Sequence, residues 1–336
     1  MPFPFNIYLL AGLSGLMVSG TSLPLWRALC RRFGVLDDPG HRKIHREPIP
    51  LAGGLAVLAG ILIPLAAGLL LAHSGYYPAI DSGAWLADSS ASELLQHGFQ
   101  RRGWQLLALF AGANGMTLLG FLDDKFELRP RNKFIGQLFI AGLTAVAGIR
   151  ITLFVDNLFF SYAITILWII TIANAVNFLD NMNGLCAGLG IVATWCIGLQ
   201  AMTQVHYLVA SISFLACGAL LGFLPYNFPR ASVFLGDAGS HLTGYLLAVL
   251  AILPHFYSAQ NPHPWAVLSP LLFLGVPLLD LVSVVYIRWR KGQPFYIGDT
   301  NHVSHRLVRR GLSPVLAVLL ICLLAALLGA LALCWS

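Results

Sequence analysis

The chain has 336 residues, of which 57% are hydrophobic and only 10% are charged. Soluble domains carry about 25% charged residues, so this composition excludes both a water-soluble globular protein and a disordered chain. The formal net charge of +6 comes from basic residues that are dispersed among the loops between apolar runs, which argues against a nucleic-acid-binding surface.

Apolar runs of about 20 residues, the length needed to cross a bilayer, recur along the whole chain. They predict an all-α polytopic membrane protein with about ten transmembrane helices, in which residues 1–336 form a single membrane-embedded domain. The first run has no basic segment before it and no cleavage site after it, so we expect a retained helix and not a signal peptide. The predicted spans are residues 5–26, 51–72, 104–122, 134–149, 158–176, 184–202, 207–224, 240–254, 265–287 and 313–334.

The basic residues divide unequally between the two sets of loops. Of the 20 lysines and arginines, 17 lie in the loops that follow spans one, three, seven and nine. The positive-inside rule therefore predicts that the odd-numbered loops are cytoplasmic and that both termini face outward. The one long outer loop, at about 73–103, carries acidic residues but no recognisable chemistry.

The first cytoplasmic loop, at about 27–50, is basic. Its Lys43, His45 and Arg46 are candidates for contact with an anionic substrate, although anchoring by the positive-inside rule explains any one of them equally well.

The loop at about 123–133 begins with two adjacent carboxylates, Asp123 and Asp124, and contains Lys125 and Lys133. Carboxylates and cations at one place suit a metal-bridged phosphate. The alternative is a pair that terminates the helix and neutralises the nearby basic residues.

The loop at about 177–184 and the residues just before it carry polar side chains at every third position. These are Asn174, Asn177, Asp180 and Asn183. On a helical segment this spacing places them near one face, and such groups beside a bilayer are costly unless they bind something. The alternative is a polar helix cap with interhelical hydrogen bonds.

The loop at about 225–239 ends in the turn Gly-Asp-Ala-Gly-Ser, with Asp237 before span eight. Small residues and a helix N-terminus favour the approach of a phosphate, against which Asp237 could hold Mg²⁺. A simple capping role for Asp237 is the alternative.

The last cytoplasmic loop, at about 288–312, brings His302, His305 and Arg306 together. The spacing of the two histidines can bind zinc, but a third ligand is missing, so hydrogen bonding to a phosphate fits better. A solvated basic loop is the alternative.

These loops put potential ligands on one face of the membrane, which predicts a single interfacial active site at the cytoplasmic side. A secondary transporter of an anionic solute is an alternative of another class, but it would place charges in the middle of opposing spans. Asp280, near the end of span nine, comes closest to that pattern, and a pair with Arg288 would make it structural.

Together these segments, over roughly residues 37 to 313, resemble the polyprenyl-phosphate N-acetylhexosamine-1-phosphate transferases. That superfamily includes undecaprenyl-phosphate N-acetylglucosamine-1-phosphate transferases and the phospho-N-acetylmuramoyl-pentapeptide transferase of peptidoglycan synthesis. The resemblance implies transfer of N-acetylhexosamine-1-phosphate from a UDP-sugar to a polyprenyl phosphate with release of UMP, as the first membrane step of cell-wall or surface polysaccharide synthesis. It also implies dependence on Mg²⁺, with Mn²⁺ as an alternative.

The resemblance assigns roles to individual residues. It implies metal binding by Asp237, with Asn177 and Asp180 near the metal and the nucleotide. The implied catalytic residues are Asp123, Asp124, Asp180, His302 and His305, and the implied substrate-binding residues are Lys125, Lys133, Asn177 and Asn227. Asn183, Arg306 and His45 are further substrate-binding candidates, from the chemistry of their own segments.

Two features depart from the family pattern. Asn181 and Asn183 stand where many relatives have a glycine and a second carboxylate, and Ser304 stands where a histidine is common. The form of the histidine segment resembles the N-acetylglucosamine branch, so UDP-N-acetylglucosamine is the expected donor and the peptidoglycan reaction is the alternative. The resemblance further implies the bacterial cytoplasmic (inner) membrane as the location and polyprenyl phosphate, the UDP-sugar and the bilayer as partners, with a homodimer as an open alternative.

Overall fold

The computed structural model describes residues 4–38, 47–74, 89–152, 155–254, 264–293 and 300–335. Its secondary structure is almost entirely helical. The helices are α1 Phe5–Phe33, α2 Gly53–Ser74, α3 Ser89–Phe126, α4 Pro130–Val146, α5 Leu158–Phe178, α6 Leu185–Thr203, α7 Tyr207–Asn227, α8 Gly236–Leu250, α9 Ser269–Phe273, α10 Gly275–Arg290, α11 Val303–Arg309 and α12 Pro314–Cys334, with a 3-10 helix at Pro264–Leu268. Two short strands, β1 Leu36–Asp37 and β2 Ile49–Pro50, pair antiparallel, with Leu36 opposite Pro50 and Asp37 opposite Ile49.

Among the described residues, seven helices are long and apolar enough to cross a bilayer. An eighth span results if residues 266–273 and 275–290, which are bent by 67° relative to each other, are counted as one. The all-α polytopic fold is therefore confirmed. The count of ten stays a prediction, because α4 and α8 have only 17 and 15 residues and are short for a bilayer.

Small residues let α1 and α7 pack closely along much of their length. A side chain at Gly218 of α7 would overlap the backbone of Gly12 on α1, and one at Gly222 would overlap the backbone of Leu16. Close backbone approach at glycines is a common way for membrane helices to associate, because lipid provides no hydrophobic driving force between helices.

Helix α8 is the most deeply buried helix of the bundle. From Ala238 to Leu250 every residue is buried, and α3 and α5 pack on either side. Backbone hydrogen bonds fix its approach: the N–H of Phe234 donates to the carbonyl of Pro50, and the N–H of Gly54 donates to the carbonyl of Leu235. The start of α8 and the start of α2 therefore lie at the same end of the bundle.

Candidate active site

The carboxylate of Asp124, on the last turn of α3, binds the first turn of α8. Its two oxygens accept hydrogen bonds from the backbone N–H groups of Asp237 at 2.8 Å and Ala238 at 3.0 Å. Gly236 has a φ of +73°, and a Cβ there would lie 2.6 Å from an Asp124 oxygen. A carboxylate at a helix N-terminus satisfies N–H groups that lack intrahelical partners and is favoured by the helix dipole. Asp124 therefore fixes the position of Asp237.

Lys133, at the start of α4, bridges two acidic side chains. Its Nζ lies 2.6 Å from Oδ2 of Asp123 and 2.5 Å from Oδ2 of Asp237. The other oxygen of Asp123 accepts a hydrogen bond from the backbone of Leu128 at 2.8 Å. The side chains of the three ionic groups are 13 to 33% exposed, so the cluster is partly shielded from solvent but accessible.

Asn177, near the end of α5, completes this group. Its Nδ2 donates to Oδ1 of Asp237 and to Oγ of Ser240, both at 2.8 Å. These bonds use the nitrogen of the amide, and no described residue donates a hydrogen bond to its oxygen. Asn174 does not join the cluster, since its amide exchanges hydrogen bonds with Gln137 on α4. For Asn174 the alternative of an interhelical hydrogen bond is therefore correct.

Asp180 lies in the turn between α5 and α6, outside the spans. No described residue donates a hydrogen bond to its carboxylate. Burial raises its pKa to about 8, and the negative charges of Asp237 and Asp124 act in the same direction. Without a cation nearby, Asp180 therefore holds a proton at neutral pH.

Asn227, at the end of α7, is only 4% exposed, and both polar atoms of its side-chain amide form hydrogen bonds. Its oxygen accepts from the N–H of Gly184 at 2.6 Å, and its nitrogen donates to the carbonyl of Val233 at 3.0 Å. It therefore joins the Asp180 turn to the segment that leads into α8. Asn183, which is half-buried, donates to the carbonyl of Pro229 at 3.3 Å.

The histidine segment lies against α10 and the Asp180 turn. His302 and Val303 both hydrogen-bond to Asp280 of α10, and the described contacts of its carboxylate do not include the pair with Arg288 that the sequence suggested. Ser304 Oγ donates to Oδ1 of Asn181 at 2.6 Å. Two of the three side chains that depart from the family pattern thus bind each other.

The remaining predicted residues lie further from this cluster or outside the described chain. Arg306 donates to Ser283 at 3.0 Å, and His305 is half-buried on α11. Lys125 is exposed, with its Nζ 5.3 Å from the ring centre of Phe126, and is not brought to the Asp123 cluster. His45 lies outside the described residues.

The sequence reasoning missed Ser240 and the role of Asp280. Ser240 stands three residues after Asp237 on the same helix, a spacing that could have identified it. Asp280 and His302 are 22 residues apart, and no local pattern relates them.

The donor groups fit Mg²⁺ in their chemistry. In the part of the chain that the structure describes, no three acidic, histidine or cysteine side chains converge closely enough to enclose a metal. Magnesium, however, commonly binds through one or two carboxylates and completes its shell with water and substrate phosphates. Asp180 and Asp237, with the amide oxygen of Asn177, are such hard oxygen donors. Burial is the main cause of the raised pKa of Asp180, and the negative charges of Asp237 and Asp124, which raise it further, would favour a cation.

Comparison with known proteins gives a consistent result. Residues 106–255, which include Asp123, Asp180 and Asp237, match the model of Glycosyl transferase family 4. The chain is 31% identical to the probable undecaprenyl-phosphate N-acetylglucosaminyl 1-phosphate transferase of Bacillus subtilis, over 90% of this chain and 77% of that protein. It is 31% identical to the decaprenyl-phosphate N-acetylglucosaminephosphotransferase of Mycobacterium tuberculosis, over 95% and 80%. It is 27% identical to the undecaprenyl-phosphate alpha-N-acetylglucosaminyl 1-phosphate transferase of Escherichia coli, over 90% and 77%.

Proposed function

The chain belongs to glycosyl transferase family 4, and from that premise we propose that it transfers N-acetylglucosamine-1-phosphate from UDP-N-acetylglucosamine to undecaprenyl phosphate or another polyprenyl phosphate, releasing UMP. Donor and acceptor are those that the names of its relatives carry. The product, a lipid diphosphate sugar, would begin the synthesis of a cell-wall or surface polysaccharide.

The observation that supports this function best is the convergence of Asp123, Lys133 and Asp237 at one end of the helix bundle. The proposed reaction brings two phosphorylated substrates together, so the site must offset their negative charge. An oxygen of the lipid phosphate attacks the β-phosphorus of the UDP-sugar, and the bond from that phosphorus to the oxygen of UMP breaks. The ammonium group of Lys133 can stabilise charge on the phosphates.

The adjacent residues Asp123 and Asp124 have different contacts, which supports different roles for them. Both oxygens of Asp124 accept backbone N–H groups of α8, so its task is to hold α8 in place. The carboxylate of Asp123 accepts from the backbone N–H of Leu128 and from Lys133, which also binds Asp237, so Asp123 lies within the charged cluster. We assign to Asp123 the binding of the lipid phosphate and the acceptance of its proton.

We further propose that the enzyme depends on Mg²⁺, with Mn²⁺ as an alternative, held by Asp237, Asp180 and the amide oxygen of Asn177. When bound, the cation would offset charge on the diphosphate and on the leaving UMP. Two oxygen-donor aspartates, one of them with its pKa raised to about 8, support this assignment.

The chain is a multi-pass membrane protein with bacterial relatives. We propose that it lies in the bacterial cytoplasmic membrane, with the active site facing the cytoplasm and both termini outside. The distribution of 17 of the 20 lysines and arginines supports this orientation. A site at the membrane face lets the lipid phosphate arrive from within the bilayer.

The test is UMP release by the purified protein in detergent with Mg²⁺ and undecaprenyl phosphate. UDP-N-acetylglucosamine, UDP-N-acetylgalactosamine and UDP-N-acetylmuramoyl-pentapeptide are supplied separately. We expect release with UDP-N-acetylglucosamine that requires both lipid and metal. Release with the pentapeptide donor alone would favour the peptidoglycan reaction, and no release with any donor would contradict the proposal.

A further inference from the structure

Asp280 on α10 is a buried carboxylate whose two oxygens are both used by the histidine segment. The residue is only 3% exposed, although it lies within a largely apolar helix. One oxygen lies 2.6 Å from Nδ1 of His302, and the other accepts the backbone N–H of Val303 at 2.7 Å. A buried carboxylate is costly unless it is paired and hydrogen-bonded, so these two contacts account for its presence in the helix.

The contact with Asp280 defines which nitrogen of His302 is left for other partners. An ionised carboxylate can only accept hydrogen bonds, so Nδ1 of His302 carries the hydrogen. The other nitrogen, Nε2, has no hydrogen-bond partner among the described residues. A histidine oriented in this way by a carboxylate presents Nε2 in one tautomer and one direction.

His302 lies beside the turn that carries Asp180. Its ring centre is 6.3 Å from that of Phe178, the last residue of α5, and Asp180 follows two residues later. The same segment is tied to this turn by the bond from Ser304 to Asn181. The contact with Asp280 therefore sets the position of a histidine at the edge of the candidate site.

We propose that Asp280 is a positioning residue for phosphosugar transfer: it pairs with Nδ1 of His302 so that Nε2 faces the substrate phosphates, to which Nε2 donates when the ring carries both hydrogens, and it fixes the start of α11 through Val303. This inference rests on the proposed function. A positioning role differs from a purely structural one. In a purely structural role Asp280 would only attach α11 to α10, and a substitution of Asp280 would have the same effect whichever residue stood at position 302.

A double-mutant cycle separates the two roles. The variants Asp280→Asn, His302→Ala and the double variant are purified, and UMP release is measured with UDP-N-acetylglucosamine. Mutation of a group that orients a metal-bound histidine typically costs about 10- to 100-fold in affinity or activity, and a carboxylate that orients a substrate-binding histidine should have an effect of the same order. We expect that loss from Asp280→Asn in the wild-type background and less than about threefold in the His302→Ala background, because the group through which Asp280 acts is already absent.

Two further variants control for misfolding. Asp280→Glu keeps the carboxylate and should recover part of the activity lost in Asp280→Asn. Val284→Ala, a buried substitution one turn along α10, should lower the thermal unfolding temperature with little change in UMP release. Equal losses from Asp280→Asn in both backgrounds, or unchanged activity of Asp280→Asn, would overturn the inference.

A second measurement does not depend on activity. The ¹⁵N resonances of histidine in the wild-type protein in nanodiscs report the tautomer, and the His302 signal is the one that His302→Ala removes. We expect neutral His302 to carry its hydrogen on Nδ1; hydrogen on Nε2 would overturn the inference even if the enzyme is active. If the wild type releases no UMP, the proposed function fails, while this spectrum still tests the contact itself.

Discussion

At the scale of single residues, Asp237 has the most contacts in the site. Its carboxylate binds Lys133 through one oxygen and Asn177 through the other, while its backbone N–H donates to Asp124. Three separate helices thus bring partners to one residue, two of them to its side chain and one to its backbone. Its charge, more than its shape, is what the proposed chemistry needs.

Asp237→Asn tests that statement, because the amide keeps the size and removes the charge. We expect UMP release to fall by at least about 100-fold, the order seen when one group that stabilises developing charge is removed. Asp156→Asn, an exposed substitution in the segment before α5, is the matched control and should leave activity unchanged. Near-wild-type activity in Asp237→Asn would refute a role for this charge.

The raised pKa of Asp180 predicts how magnesium activation depends on pH. Below about 8 the carboxyl is protonated, and a cation must displace the proton in order to bind. The Mg²⁺ concentration for half-maximal activity should therefore fall about tenfold for each pH unit as pH rises toward 8, and level off above it.

The control for this titration is Asp180→Asn, which should remove the slope and retain only weak activation by Mg²⁺. A wild-type enzyme whose half-maximal Mg²⁺ concentration does not change between about pH 6 and 8 would contradict the assignment of Asp180 as a metal ligand.

The contact between Ser304 and Asn181 explains two residues that the sequence left as unexplained departures. Ser304 is fully buried, and its hydroxyl donates to the Asn181 amide, which also donates to the carbonyl of Phe178. The sequence could identify each departure alone. It could not show that they compensate for each other, because they are separated by 123 positions.

Ser304→Ala should therefore destabilise the protein by about 0.5–1.5 kcal/mol, the net contribution of one intramolecular hydrogen bond, here to the half-buried Asn181. In an Asn181→Gly background the same change should cost much less, because that oxygen is absent. Thermal unfolding of the four proteins in detergent measures the coupling. Equal costs in the two backgrounds would mean that the hydrogen bond contributes nothing to stability.

At the scale of helices, the contact between α3 and α8 has no space for a side chain. A Cβ at Gly120 would overlap the carbonyl of Asp237, one turn before Asp124 binds the same peptide region. Gly120→Ala should thus displace the start of α8. The variant should lose more UMP release than its loss of folded protein accounts for.

Gly142→Ala on α4 is the matched control, because nothing lies within 4 Å of a Cβ at that position. Alanine is favoured over glycine inside a helix by up to about 1 kcal/mol, so this variant should be as stable as the wild type or more so, and active. Full activity of Gly120→Ala in the same assay would show that the α3–α8 contact does not set the site.

Hydropathy predicted the helices well but not their geometry. The stretch predicted as one span at 265–287 is bent by 67° between residues 273 and 275, and α1 extends to Phe33, beyond the predicted end at 26. Composition records how apolar a stretch is, whereas bends and helix ends depend on packing against neighbours. The same limit applies to Asp280, whose partner comes from α11 and not from its own helix.

At the scale of the whole molecule, the orientation in the membrane is the prediction that depends least on any single part of the chain. It depends on the sum of basic residues in many loops, and no contact within the bundle determines which end faces the cytoplasm. The site itself lies at a single end, because the end of α3 and the starts of α4 and α8 meet there.

Labelling with a membrane-impermeant maleimide tests this orientation. In a Cys334→Ser background, which removes an exposed thiol, a cysteine is introduced by Asp156→Cys or Arg131→Cys, both at exposed positions. We expect Asp156→Cys to react in intact cells and Arg131→Cys to react only after the membrane is permeabilised. The reverse pattern would place the site on the outer face.

In the proposed reaction the sugar is transferred together with a phosphate. Mass spectrometry of the lipid formed from UDP-N-acetylglucosamine and undecaprenyl phosphate, with the released nucleotide identified in the same reaction, tests it most directly. We predict a lipid diphosphate that carries N-acetylglucosamine, with one UMP released for each lipid formed. A lipid monophosphate sugar accompanied by UDP, or a nucleotide released without any lipid product, would contradict the account.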